Sequence, residues 1–223
     1  MKGKIAEIFD SIQGEGIYLG EKQLFVRFFG CNLSCKFCDT KLRYFVEYEP
    51  EELFTELKQY QADYHSVAFT GGEPLYQRDF LKEILRLTRK AGVLNYLETN
   101  GTLPDELEAV IDFLDIVAMD LKLPSSTAEN DFWQVHGRFL EIAAQKEVFL
   151  KSVICQSTQE EDLRKALSLI KKINPAITLV LQPNSFEDDH QLRKKLEDFR
   201  GVAMENNIVT CIIPQMHKLM RLR

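Results

Sequence analysis

Apolar, β-branched and aromatic residues recur along the chain in short runs that end in polar or glycine-containing turns. These are QLFVRFFG (23–30), SVAFTGGE (66–73), LNYLETNG (94–101), DIVAMDLK (115–122), VFLKSVIC (148–155) and ITLVLQPN (177–184). Runs of this length and composition predict buried strands. The segments between them carry a helical period. PEELFTELKQY (50–60) opens on proline and two acids, which suits a first helical turn, and DFLKEILRLTRKAG (79–92) sets Phe80, Leu81, Ile84, Leu85 and Leu87 near one face before closing on Gly92. TQEEDLRKALSLIKKI (158–173) predicts a helix with a Thr158 to Glu161 capping box and basic residues at its end, both favourable to the helix dipole. The stretch 187–207 reads as a further helix, NIVTCIIP (207–214) as the last strand, and PSSTAENDFWQVHG (124–137) as a loop with a short helix.

Parallel strands need covering crossovers, so the alternation predicts an α/β fold built on a parallel sheet. About six βα units are too few for a closed eight-stranded barrel and suit a partial, incomplete TIM-like barrel. No linker, repeat or low-complexity tract interrupts residues 1–223, which are expected to form one domain. Polar residues gather where the strand runs end: Thr70, Gly71, Gly72 and Glu73, then Glu98, Thr99 and Asn100, then Asp120 and Lys122, then Gln182 and Asn184. In parallel α/β folds these carboxyl ends share one rim, where ligands bind, so the rim is the expected active site.

The chain has 223 residues, 45% of them apolar, enough for a substantial core. Its net charge of −6 and scattered basic residues argue against binding a nucleic-acid backbone. MKGKIAEIFDSIQGEG has no apolar stretch of signal-peptide type, and no run approaches the ~20 residues that span a bilayer, so a cytoplasmic protein is expected, with neither nucleic acid nor membrane as partner. Of five cysteines, Cys31, Cys35 and Cys38 crowd into FVRFFGCNLSCKFCDT (25–40) beside polar residues, which points to metal binding rather than a disulfide framework. Cys155 and Cys211 lie in apolar strand runs and read as core, leaving three thiolates. A zinc completed by Asp39 is one solution; a cubane 4Fe-4S cluster with one iron open to a ligand is the better fit. Arg27 stands in an apolar strand, where a cation needs a partner.

CxxxCxxC after a first strand, with Phe37 before the last cysteine, resembles the signature of the radical S-adenosylmethionine (SAM) superfamily, and TGGEP (70–74) is similar to its GGE motif. SIQGEG (11–16), LETNG, DLK, LQPN (181–184) and PQMHK (214–218) extend the resemblance through nearly the whole chain to the 7-carboxy-7-deazaguanine synthase family. That family rearranges 6-carboxy-5,6,7,8-tetrahydropterin into 7-carboxy-7-deazaguanine with loss of ammonia, in queuosine and deazapurine biosynthesis. The resemblance implies a 4Fe-4S cluster on Cys31, Cys35 and Cys38, SAM as cofactor, Mg2+ on Thr40, an external electron donor of flavodoxin or ferredoxin type, and a homodimer. It implies SAM contacts from Phe37, Cys38, Asp39, Gly72, Glu73, Asp120, Leu121, Lys122, Gln182, Pro183, Asn184 and Ser185. Substrate contacts are implied for Ile12, Gln13, Gly14, Glu15, Gly16, Arg27, Thr70, His217 and Arg223, with Arg27 forking to a carboxylate and Gln13 and Glu15 reading the ring edge. Where the family often has Ser-Pro-Lys this chain has Asp120, Leu121 and Lys122, and its tail ends in LMRLR. Another radical SAM enzyme, such as a glycyl-radical activase, shares the cluster spacing; a zinc module would leave the polar strand ends without a purpose.

Overall fold

The computed structural model describes residues 1–38, 42–60, 63–187, 190–216 and 218. Nine strands among them form one open sheet: β1 (Gly3–Ile12), β2 (Lys22–Phe28), β3 (Val46–Tyr48), β4 (Ser66–Gly71), β5 (Asn95–Thr99), β6 (Ile116–Asp120), β7 (Glu147–Ile154), β8 (Leu179–Pro183) and β9 (Thr210–Ile212). Their order is β3-β1-β2-β4-β5-β6-β7-β8-β9. From β2 through β4 to β9 every pairing is parallel, while β1 runs antiparallel to both β2 and β3. The crossovers carry α1 (Pro50–Leu57), α2 (Arg78–Lys90), α3 (Pro104–Glu108), α4 (Pro124–Thr127), α5 (Trp133–Ala143), α6 (Glu160–Ile173) and α7 (His190–Glu205). This is the expected partial barrel with one correction: the sheet is mixed, because an N-terminal strand was not anticipated. A register shift between Ile5 and Glu7 breaks the alternation of β1, which hides its period of two from the sequence.

A second correction concerns α6. Thr158 does not cap it: its hydroxyl oxygen accepts from the Cys155 N–H at 2.8 Å and pairs with Ser126 Oγ at 2.7 Å. Asp162 instead accepts from the N–H and hydroxyl of Ser125, tying α6 to α4. A reciprocal box does occur at α1, where Glu52 accepts from the Glu49 N–H at 2.9 Å. No described helix is long and apolar enough to cross a membrane.

Strand parity decides what the site contains. On β2, Leu24, Val26 and Phe28 face the helices and belong to the main core, whereas Phe25 and Arg27 face the other side. The same alternation puts Thr70, Glu98, Asp120, Lys151 and Gln182 on that inner face, one from each of β4 to β8. Beneath them Phe9, Phe25, Ala68, Tyr96, Ala118, Phe149 and Val180 form a second, smaller apolar cluster that floors the hollow. Burial of this floor keeps water away from the polar groups above it, which strengthens their mutual electrostatics.

Candidate active site

The inner face opens into a cavity of about 680 Å³ at the carboxyl ends of the strands. Its mouth is shaped by two strand ends pressed together. The Gly72 N–H donates to Phe28 O at 3.0 Å and the Glu73 N–H to Gly30 O at 2.9 Å. A Cβ on Gly72 would stand 1.8 Å from Gly30 O, and Gly71 has a φ of +122°, so only glycine permits this approach of the turn to the start of the cysteine loop. Glu73 stiffens it from behind. Its carboxylate accepts from Thr99 Oγ1 at 2.9 Å and from the N–H groups of Leu75 at 3.1 Å and Asn100 at 2.7 Å. Burial pushes this carboxyl up to about 7 despite those donors.

One set of side chains forms a hydrogen-bonding edge. Gln13 Nε2 donates to Gln23 Oε1 at 2.9 Å and to Glu98 Oε1 at 2.8 Å, and Thr70 Oγ1 donates to Glu98 Oε2 at 2.5 Å. Arg27 is the register neighbour of Thr70. Its Nε lies 2.9 Å from Glu7 Oε2, close enough for an ion pair but not aligned for a hydrogen bond, and its guanidinium sits 5.6 Å from the centre of the Phe9 ring. The remaining guanidinium donors suit a planar carboxylate.

A second set is a ladder of charges. Gln215 Nε2 donates to Glu15 Oε1 at 2.7 Å; Glu15 Oε2 is ion-paired to Lys151; Lys151 Nζ lies 3.7 Å from Asp120 Oδ2, which Lys122 Nζ meets at 2.8 Å. Lys122 in turn stands over the Phe37 ring at 5.5 Å. Burial would raise the Asp120 carboxyl, but Lys122 and then Lys151 outweigh it and hold it below its usual value. Burial likewise works against the charge of both lysines, yet Asp120 raises Lys122, and Glu15 followed by Asp120 raises Lys151. Asp120, Lys122 and Lys151 are therefore charged at neutral pH. Asp120 Oδ1 and Gln182 Oε1 are nevertheless buried without a hydrogen-bond partner, and both belong to the cavity wall. Two such orphaned acceptors fit a ligand that brings N–H or O–H groups.

Cys31, Cys35 and Cys38 line the same cavity, and Cys155 and Cys211 do not. Cys31 Sγ accepts from the Leu33 N–H at 3.4 Å and from Asn100 Nδ2 at 3.8 Å. Burial raises the thiols of Cys31 and Cys35, the latter to about 11, so by themselves they are protonated. Among the described residues no three His, Cys, Asp or Glu side chains already stand as a metal-binding group. The donor set fits an iron-sulfur cluster by its chemistry: three soft sulfurs on one loop, facing the cavity, with no fourth cysteine beside them.

Of the residues expected from sequence, the cavity brings together Ile12, Gln13, Gly14, Glu15, Gly16, Arg27, Phe37, Cys38, Thr70, Gly72, Asp120, Lys122, Gln182, Asn184 and Ser185 with Cys31 and Cys35. Three others do not line it. Glu73 is enclosed by its donors; Leu121 falls on the helix side by parity and its N–H donates to Lys151 O at 2.7 Å; Pro183 is likewise out of phase with Gln182 and Asn184. Asp39, Thr40, His217 and Arg223 lie outside the described residues. Glu7, Lys151, Gln215 and Lys218 were missed, and Glu98 was noticed on the rim without a role. Lys151 carried a legible signal, a lone cation inside the apolar run VFLKSVIC, the same one that singled out Arg27.

Known proteins resemble this chain along most of its length. The radical SAM superfamily model matches residues 25–138. A 7-carboxy-7-deazaguanine synthase of Geobacter sulfurreducens is 33% identical over 97% of this chain and 96% of its own length, and one from Archaeoglobus fulgidus is 32% identical over the full length of both. In fold, QueE from Escherichia coli matches with a TM-score of 0.65 at 20% identity, covering 95% of this chain and 93% of its own. A TYW1 structure with a lysine-pyruvate adduct bound matches with a TM-score of 0.59 at 15% identity, covering 82% of this chain and 73% of its own. With relatives this similar along nearly its entire length, the chain belongs to the 7-carboxy-7-deazaguanine synthase family of the radical SAM superfamily.

Proposed function

We infer that this chain contracts the ring of 6-carboxy-5,6,7,8-tetrahydropterin to give 7-carboxy-7-deazaguanine, releasing ammonia. The observation that carries the reading is one cavity lined both by three cysteine thiols and by an amide, carboxylate and guanidinium edge from Gln13, Glu98 and Arg27. A flat heterocycle with several donors and acceptors and one carboxylate matches that edge. A glycyl-radical activase acts on a protein backbone and has no need of it.

When bound, a 4Fe-4S cluster and SAM supply one-electron cleavage of the cofactor and hydrogen-atom abstraction. Cys31, Cys35 and Cys38 are the cluster ligands in this reading. Phe37, Gly72, Asp120, Lys122, Gln182, Asn184 and Ser185 receive SAM, with the unpaired Asp120 Oδ1 and Gln182 Oε1 as acceptors. Gln13, Glu15 and Thr70 orient the pterin ring and Arg27 its carboxylate. Mg2+ on Thr40, an external electron donor, a homodimer and a single radical SAM domain over residues 1–223 complete the proposal.

The test is anaerobic. The protein is reconstituted with iron and sulfide, reduced, and mixed with SAM and 6-carboxytetrahydropterin with and without Mg2+, and products are followed by mass spectrometry. Appearance of 7-carboxy-7-deazaguanine is the expected result. SAM cleavage with the pterin left unchanged would keep the superfamily chemistry and overturn the substrate.

A further inference from the structure

Lys151 occupies the middle of β7, between Phe149 and Val153 on the inner face, where every neighbour in the strand is apolar or small. An ammonium there is retained only if its charge is matched. It is matched on two sides: by Glu15, which the SIQGEG loop carries after β1, and by Asp120 at the end of β6. The two carboxylates serve different walls. Glu15 sits with the hydrogen-bonding edge and also receives Gln215 from the C-terminal segment, whose Met216 N–H donates to Gly14 O at 2.9 Å. Asp120 is paired with Lys122, which stands over Phe37 of the cysteine loop. Glu98, a third carboxylate on the cavity, adds to the negative field at Lys151.

We propose that Lys151 is a positioning residue that links the pterin side of the cavity to the SAM side. Its ammonium holds the Glu15 carboxylate in place against the loop and keeps Asp120 turned to Lys122. A ligand that engages Asp120 or Lys122 therefore changes the share of the Lys151 charge left for Glu15, and a ligand that engages Glu15 does the reverse. Such a link is reciprocal: the factor by which the pterin tightens SAM equals the factor by which SAM tightens the pterin. The role rests on the synthase activity proposed above, whereas its structural half concerns the ligand-free protein alone.

Lys151→Met removes the charge at similar length, and Lys151→Arg keeps it. In the ligand-free protein, hydrogen exchange followed by mass spectrometry should show faster exchange in Lys151→Met at Gly14 to Gly16 and at Met216. Backbone amides of α6, remote from the ladder, should be unchanged. In the reconstituted protein, the SAM Kd is measured with and without 6-carboxytetrahydropterin. The wild-type ratio should exceed about tenfold and fall to about one in Lys151→Met, while the pterin KM rises at least tenfold and kcat falls less. Lys151→Arg should recover part of the ratio, which loss of fold alone would not allow. Should Lys151→Met fail to fold, Glu15→Gln/Lys151→Met removes both charges, and the same loosening of residues 14–16 is expected. Wild-type exchange in either variant, or a wild-type ratio of one, overturns the role. Failure of the wild type to convert the pterin overturns the synthase reading instead and leaves the exchange result to judge Lys151.

Discussion

Gly72→Ala puts a single methyl group where two strand ends already touch. Its Cβ would lie 1.8 Å from Gly30 O, so the atoms must part by about 1.2 Å to reach the 3.0 Å floor of real contacts. Neither side yields easily. Gly30 O accepts the Glu73 N–H, and the Gly72 N–H is bound to Phe28 O. Overpacking of this kind costs about 1–3 kcal/mol, and weakening two backbone hydrogen bonds adds about 1 kcal/mol. A total of about 3 kcal/mol leaves a protein of ordinary stability folded but lowers Tm by roughly 6–12 °C. The displacement falls on Gly30 and Cys31, where the cysteine loop begins, so iron content after anaerobic reconstitution and SAM affinity should fall with it. Gly201→Ala is the control: it lies in α7 with nothing within 4 Å, and should stabilise by about 0.5–1 kcal/mol. Thermal unfolding of the unreconstituted protein and iron per chain are the assays. A Gly72→Ala variant with wild-type Tm and wild-type iron would refute the claim that this contact sets the loop.

Three further outcomes are expected. Glu73 holds its proton in the folded chain up to about pH 7, whereas its unfolded value is 4.5; the native state therefore binds more protons between those values, and stability drops by about 3 kcal/mol as pH rises from 4.5 to 7 and stays level above. Denaturant titrations across that window check the slope, which Glu73→Gln should flatten. Cys35→Ala should abolish iron binding and turnover together, while Cys211→Ser, on β9 away from the cavity, should keep wild-type iron content. Arg27→Ala should retain the cluster and SAM cleavage but raise the pterin KM roughly 10- to 100-fold, as expected for losing a charge-assisted pair of 1.5–3 kcal/mol; normal KM would remove Arg27 from the carboxylate site.

Much of the molecule was legible before any coordinates. The run-and-turn rhythm from residue 23 onward located β2 and β4 to β9, because strands buried on both faces are apolar throughout and end in polar turns. The rim followed from connectivity, since strands joined by covering crossovers run parallel and so place all their carboxyl ends on one side. The spacing of Cys31, Cys35 and Cys38 stated its chemistry locally, as ligands supplied by one loop do. The N-terminal strand was not legible, because its bulge disrupts the alternation that identifies a half-buried strand. Nor was the use of Thr158, which has a capping box in sequence but is engaged by Cys155 and Ser126 in space.

What tertiary structure alone decided is partnership. Leu121 and Asp120 are adjacent in sequence and opposite in role, since pleating turns one to the helices and the other to the cavity. Glu73 belongs to a motif whose glycines face the cavity mouth while its carboxylate braces the next strand from within. The ladder from Gln215 to Lys122 draws on residues from four separate stretches of chain, and no local pattern encodes which carboxylate a lysine will meet. Local sequence determines backbone period and the chemistry a loop can offer; the sign and reach of a buried charge depend on what the fold places within a few ångströms of it.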